Sequence, residues 1–549
     1  MKKLYILCLL LISSVLCFAN DLTLDIIFTN DLHGGIDRAK ATFMNPAFPP
    51  QLGGGASAAT YIKSVREKTT ENLRDNLLID TGDFFQGRPI GSLSAGKAVI
   101  EYMNMVKYDL LVLGNHEYDL GEEKLKNTLE DANFPILAAN VYRKGTLELV
   151  EYAQPFIIVE KMGLKIGIVG ITTTDTEKMS FADHIRFVDF IDEKEVLQYY
   201  VNHLRDVEKV DIVIATVHAG IPYDPLPEYQ KRYENPNKKQ TEKNWGYDAQ
   251  ELAHEVEGID LMFAGHIHKG FDRPWVDPIT HTLVFQGYAY GSGLIHLMVK
   301  IDPETKTISG FDTPAEDKLQ LTLFEDQFIP DPEVDAYISE QQTIAEKGMD
   351  EVVGIAGVFL SRTSVDNQNA MGNFTCEAMR DAVNADFSFI NLGGIRAEIP
   401  MGNVTYRHVF NAMPFDNMIV TLVVDGIMLK RIIETRIAGS RQGLLLAGGK
   451  IRFNKTRSDF DRVTLLEING EPWDPNKRYK VATTDFLLQG NAGLTLLTTL
   501  PESQIIRHEI NLRDAMVDYF KQNSPVKFYI DERWERNDKS TPENYLQNF

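Results

Sequence analysis

From Leu22 to about Phe311 the chain repeats one hydropathic rhythm: a short β-branched apolar run, a loop rich in Gly, Asp, Asn or His, then a stretch with helical spacing. The runs include Leu22 to Phe28, Leu77 to Ile79, Leu110 to Leu113, Ile166 to Val169, Ile212 to Ala215 and Leu261 to Ala264. Most are apolar throughout rather than alternating, as strands covered on both faces must be. With helices interleaved, they predict layered α/β structure. Asp331-Pro332 then offers a helix cap and first turn, followed by Val334, Tyr337, Ile338, Ile344 and Ala345 at helical spacing before Gly348. This predicts a linking helix over 331–350. A second α/β pattern fills roughly Val352 to Ile530, with runs such as Phe387 to Ile390 and Met418 to Val424.

At 549 residues and 44% apolar content the chain exceeds one hydrophobic core, so two folded domains are expected, over 20–330 and 351–549. Residues 1–19 read as a secretory signal peptide: Met1-Lys2-Lys3, an apolar core from Leu4 to Leu16, and small residues at Cys17 and Ala19 before the cleavage point. The apolar run is short for a span of the ~20 residues a bilayer needs, so the expectation is export to the periplasm or outside the cell, without stable membrane insertion. Cys8 and Cys17 leave with the signal, and Cys376 then has no partner for an internal disulfide. The formal charge of -22 becomes -24 without Lys2 and Lys3, which disfavours duplex nucleic acid as a partner but leaves small phosphorylated substrates open. Oligomeric state is not legible.

Five polar loops begin where an apolar run stops: Thr29-Asn30-Asp31-Leu32-His33-Gly34, Asp80-Thr81-Gly82-Asp83, Gly114-Asn115-His116-Glu117-Tyr118-Asp119, Thr216-Val217-His218-Ala219-Gly220 and Gly265-His266-Ile267-His268. Loops at the carboxyl ends of neighbouring strands converge on one crevice in α/β sheets. Their imidazoles, carboxylates and one amide, without thiolates, suit a pair of borderline divalent cations such as zinc, manganese, cobalt or iron. Two cations ~3.5 to 4 Å apart can activate a water and neutralise phosphoryl oxygens during in-line displacement.

In this order D-x-H, G-D, G-N-H-[DE], H-x-G and G-H-x-H form the metallophosphoesterase signature, and the chain resembles its 5'-nucleotidase branch, which includes UDP-sugar hydrolases. The resemblance implies a four-layer αββα sandwich followed by a separate C-terminal α/β substrate-binding domain. It implies that Asp31, His33, Asp83 and His268 hold one cation and Asp83, Asn115, His218 and His266 the other, with Asp83 bridging. His116 is implied to face the phosphate and stabilise the transition state, with Asp119 orienting its imidazole. Glu117 receives no role. His184, His203, His254, His281, His296, His408 and His508 lack this loop setting and are assigned to the surface or to packing.

The second half carries Asn391-Leu392-Gly393-Gly394-Ile395-Arg396, Met413-Pro414-Phe415-Asp416-Asn417 and Asp485-Phe486-Leu487-Leu488-Gln489-Gly490, which are similar to the family's substrate-binding motifs. Arg396 offers a planar fork of donors to a phosphate. Phe415 and Phe486 are placed to sandwich a nucleobase, with stacking worth ~1 to 3 kcal/mol per base. Asn391 and Asn417 are expected as polar contacts, and Arg362 is the nearest candidate for a further arginine expected upstream. One departure concerns the sugar: the family carries G-G-D-G after the second Phe, whereas this chain has Gly490-Asn491-Ala492-Gly493. The expected activity is phosphate release from nucleoside 5'-monophosphates. The alternatives are a 2',3'-cyclic-nucleotide phosphodiesterase, a UDP-sugar or dinucleotide pyrophosphatase, and a silent nucleotide-binding surface protein.

Overall fold

Two sheets stack face to face in the N-terminal half. The structure, a computed structural model, describes residues 21–538 except 42–43, 46–47, 70–72, 235–245, 315–317, 366–367 and 439–443. The signal peptide expected in residues 1–19 lies outside the described residues. The strands that matter for the site are β1 (Leu22–Thr29), β2 (Arg74–Asp80), β3 (Leu110–Val112), β4 (Leu164–Thr172), β5 (Ile212–His218), β6 (Leu261–Ala264), β7 (Leu283–Gln286) and β8 (Gly293–Ile301). One sheet runs Ile308–Asp312, β8, β1, β2, β3, Ile136–Leu137; the other runs Trp275–Val276, β7, β6, β5, β4, Phe156–Lys161. β1, β2 and β3 are mutually parallel, as are β4 to β7, while β8 pairs antiparallel with β1.

Between the sheets lie Leu24, Ile26, Phe28, Leu77, Ile79, Ile166, Ile168, Ile214, Phe263 and Leu297. The opposite face of the first sheet packs under helices Gly54–Arg66 and Lys97–Val106, and that of the second under Glu193–Asn202 and Ala249–Glu255. This helix, sheet, sheet, helix order is the αββα sandwich, and burial on both faces is why the strand sequences do not alternate. Asp25 is the exception inside an apolar run. It is fully buried beneath helix Gly54–Arg66, where Arg74 donates to it twice (2.6 and 2.8 Å), His296 Nε2 lies 2.8 Å away, and Tyr61 Oη meets His296 Nδ1 at 2.7 Å.

Helix Pro332–Ala345 follows, capped by the Asp331 carboxylate, which accepts from Glu333 N (3.0 Å) and Val334 N (3.2 Å). Val334 and Ile338 bury against helices Gly54–Arg66 and Lys97–Val106, so by contact the helix is an outer element of the N-terminal half. Ile344, expected on the apolar stripe, is 66% exposed. Beyond the helix, Glu346 and Asp350 pair with Arg407 of the C-terminal half. That half is built on a five-stranded mixed sheet in the order Leu445–Ala447, Phe387–Ile390, Arg478–Thr484, Met418–Asp425, Ile505–Asn511. Helices Ala370–Ala382 and Leu512–Asn523 share its core. No helix among the described residues is long and apolar enough to cross a membrane.

Candidate active site

The five polar loops leave the carboxyl ends of β1, β2, β3, β5 and β6, and their side chains meet at one edge of the sandwich. Close approach depends on glycine here. A Cβ on Gly114 would sit 2.3 Å from Asp83 Oδ1, and Gly82, at φ +97°, would press one to 2.6 Å from Gly114 N. Asp31, His33, Asp83, His266 and His268 all adopt left-handed backbone, with φ from 48° to 76°. Such conformations cost of order 1 kcal/mol or more each in residues with a Cβ, and persist where the surroundings enforce them.

Ligand atoms of Asp31, His33, Asp83 and His268 lie within 4.8 Å of one another, and so do those of Asp83, His218 and His266. Asn115 joins the second group through its Oδ1, 2.9 Å from His266 Nδ1. His33 Nδ1 donates to the Gln86 carbonyl (2.6 Å) and His218 Nδ1 to the Thr81 carbonyl (2.8 Å), which turns both Nε2 atoms inward. His33 Nε2 and His268 Nε2 face each other at 2.8 Å. Burial, above all, holds both imidazoles well below their usual range, so each keeps a lone pair available. Asp83 Oδ2 and His218 Nε2 are buried 3.0 Å apart as an ion pair, with no other hydrogen-bond partner for either atom, and Asn115 Nδ2 is buried without one. Buried polar atoms left unpaired are costly, and a donor set of this composition fits two divalent cations.

Glu117, which had no assigned role, holds this arrangement together. Its buried carboxylate accepts from Asp83 N (2.9 Å), Phe84 N (3.0 Å) and Gly114 N (2.6 Å), tying the β2 loop to the β3 loop. Burial and the Asp83 charge push its pKa up to about 8, so an ionised Glu117 calls for positive charge nearby. His116 sits outside the two ligand groups. Its Nδ1 lies 2.6 Å from Asp119 Oδ2, leaving Nε2 to face outward, and its main-chain N donates to Asp83 Oδ1 (2.9 Å). Burial works against its protonation, but Asp119 and Asp83 outweigh that and raise its pKa.

A cavity of about 490 Å³ opens beside His116, between the two halves of the chain. It brings together His116, Asp119, Asn391, Arg396, Phe415, Asn417 and Phe486. Arg396 follows the turn after strand Phe387–Ile390; its Nη2 lies 3.3 Å from His268 Nε2 and its guanidinium stands over the Phe415 ring at 5.6 Å. The Phe415 ring in turn stacks on His116 at 5.7 Å. Arg362 is not brought in: it does not line the cavity, and its Nη1 donates to the Arg396 carbonyl (2.7 Å), buttressing that turn from behind.

His184 packs edge-on against Phe181 and lines the cavity wall. Phe181 in turn meets Phe486 of the C-terminal half edge-on. Gln86 was missed. Its carbonyl orients His33, while its Nε2 donates to the Pro414 carbonyl (3.2 Å), next to Phe415. His254 and His296 are bound to Asp277 and Asp25, and His408 caps helix Tyr406–Ala412, as packing roles require.

A sequence-family model of calcineurin-like phosphoesterases matches residues 24–270, and one of the 5'-nucleotidase C-terminal domain matches residues 351–499. The chain is similar to a snake venom 5'-nucleotidase of Gloydius brevicauda, 27% identical over 87% of this chain and 83% of that one. It is also similar to the protein UshA of Yersinia enterocolitica, 25% identical over 86% of this chain and 88% of the other. Among solved structures, the 5'-nucleotidase precursor of Thermus thermophilus superposes with a TM-score of 0.79 at 23% identity, over 94% of this chain and 100% of that chain, a likeness of fold.

Proposed function

The chain belongs to the 5'-nucleotidase family of metal-dependent phosphoester hydrolases, and on that premise we propose that it releases phosphate from nucleoside 5'-monophosphates. One observation carries the substrate reading: a single cavity has His116 and Arg396 at the metal centre and the Phe415 and Phe486 rings along its walls. A phosphate and a base linked by a sugar match that sequence of groups.

In this reading Asp31, His33, Asp83 and His268 hold one divalent cation, and Asp83, Asn115, His218 and His266 the second. The cation pair, when bound, supplies Lewis acidity at the phosphoryl oxygens and a water activated at neutral pH. Arg396 sets two donors against the phosphate and fixes its orientation. His116, held by Asp119 at 2.6 Å, presents Nε2 to the reacting phosphate and delivers a proton to the leaving oxygen. Phe415 and Phe486 hold the base, and Asn391 and Asn417 its polar edge or the sugar. Phosphate release from nucleoside monophosphates should stop on chelation and return with divalent metal; indifference to chelator would sink the reading. Replacing Phe415 or Phe486 by Ala should raise KM for nucleotides ~10-fold or more, and far more than for p-nitrophenyl phosphate.

A wider cavity of about 1080 Å³ on the far side of Arg396, lined also by Arg88, His268 and Lys318, favours a second reading. It offers room for a substituent beyond the phosphate, as in a nucleotide sugar or dinucleotide. Rates on a monophosphate, a 2',3'-cyclic nucleotide and a UDP-sugar from one preparation rank the two. The leader sequence at residues 1–19 supports an exported protein, which cell fractionation tests.

A further inference from the structure

The C-terminal half offers the sugar the amides of Asn391 and Asn417 but no unengaged carboxylate. The segment Gly490-Asn491-Ala492-Gly493 has no acidic side chain. Asn491 is 4% exposed, and its amide donates to the carbonyls of Phe486 (3.0 Å) and, across to the N-terminal half, Ser180 (3.5 Å). The Ala492 carbonyl accepts from Arg436. This segment is occupied with docking the two halves.

What it docks is the third wall of the cavity, the loop Met179 to His184 of the N-terminal half. Ala182 N donates to Gln489 Oε1 (2.8 Å), and the Phe181 ring meets Phe486 edge-on at 5.9 Å. The loop brings one carboxylate to the cavity, that of Asp183. The other carboxylates lining it are engaged: Asp119 with His116 (2.6 Å), Asp416 with Arg513 (2.9 Å), and Asp485 with Met418 N (3.0 Å) and Phe486 N (2.8 Å). Among the described residues, Asp183 is the cavity carboxylate left with no side-chain hydrogen bond or ion pair within the protein, and it is exposed to solvent at the cavity wall.

We infer that Asp183, from the catalytic half, reads the sugar by accepting hydrogen bonds from the ribose hydroxyls, so the substrates are ribonucleotides in preference to 2'-deoxyribonucleotides. A carboxylate has two acceptor oxygens and suits two adjacent hydroxyls. A hydrogen bond to a charged acceptor discriminates, because a substrate lacking the hydroxyl covers the carboxylate without replacing the water hydrogen bonds it gives up. The selecting group lies across the domain junction from the base platform, so sugar selection requires the two halves to be docked.

The inference rests on the nucleotide reading, and the experiment separates the two. Steady-state kinetics on adenosine 5'-monophosphate and its 2'-deoxy analogue are compared for wild type, Asp183→Ala and the isosteric Asp183→Asn, with cation content and unfolding midpoint confirming intact variants. Wild type should favour the ribonucleotide ~10-fold or more in kcat/KM, and both variants should lose that preference, chiefly through KM for the ribonucleotide. Equal use of the two nucleotides by wild type, or a preference that survives both substitutions, overturns the role of Asp183. Wild-type turnover of p-nitrophenyl phosphate with neither nucleotide used would instead defeat the nucleotide reading itself.

Discussion

His116 and Glu117 are adjacent and buried, yet they face different tasks. The imidazole meets the cavity with Asp119 behind it, whereas the carboxylate turns back to collect three main-chain N–H groups. His116→Ala should therefore keep two cations per chain by elemental analysis while kcat falls ~10²- to 10⁴-fold. Loss of metal on that substitution would make His116 a ligand. Glu117→Gln keeps the shape but points an amide donor at N–H groups, and should weaken cation affinity ~10- to 100-fold by titration calorimetry. The clustering of Asp31, His33, Asp83, His218, His266 and His268 was legible because each stands in a short motif at a strand end. Glu117 was not, since its partners are backbone N–H groups, two of them in a loop more than thirty residues earlier, which leave no side-chain signature. That the Met179 to His184 loop forms a cavity wall was not legible for a related reason: Phe181 and Ala182 find their partners, Phe486 and Gln489, some three hundred residues away.

Strand β1 shows what an element can conceal. Its apolar run marked it as a buried strand, and it is one, but Asp25 within it anchors a polar chain through Arg74, His296 and Tyr61 beneath helix Gly54–Arg66. Burial alone would raise the Asp25 pKa; hydrogen bonds from His296 and Arg74 win and lower it below the ordinary value. Its contribution is thus present above the unfolded carboxylate value of ~3.9 and disappears as pH falls through the lower folded value. Asp25→Ala, which strands the buried partners, should cost ~3 to 5 kcal/mol in urea unfolding at pH 7, and the gap to wild type should narrow below pH 4. Helix Pro332–Ala345 was legible from its Asp331-Pro332 cap and spacing, but spacing cannot say which half a helix packs on. Burial of Val334 and Ile338 against the first half, with Ile344 left outside, is a tertiary outcome.

For the molecule as a whole, loading of the centre depends on protons. Burial opposes a charge on His218, but the adjacent Asp83 carboxylate prevails and lifts its pKa to about 10. In chelator-stripped protein this pair stabilises the fold fully below the unfolded imidazole value of ~6.5, and that contribution is lost as pH rises through about 10. A cation needs the neutral imidazole, so binding should release a proton, and apparent affinity should rise with pH, by up to ~tenfold per unit across that window. Calorimetry in buffers of different ionisation enthalpy counts the proton.

The five left-handed residues of the clustered site have a consequence in time as well as in energy. They sit at strand ends whose interiors are fully buried, so the strain they carry can relax without disturbing the sheets. On chelation, amide hydrogens around Asp31, Asp83 and His266 should exchange through local openings long before those of β1 and β5, and added metal should slow them again. A bound cation pair would act on this sandwich as a clasp that sets how often its working edge falls open, while the lifetime of the sheets behind it stays as before.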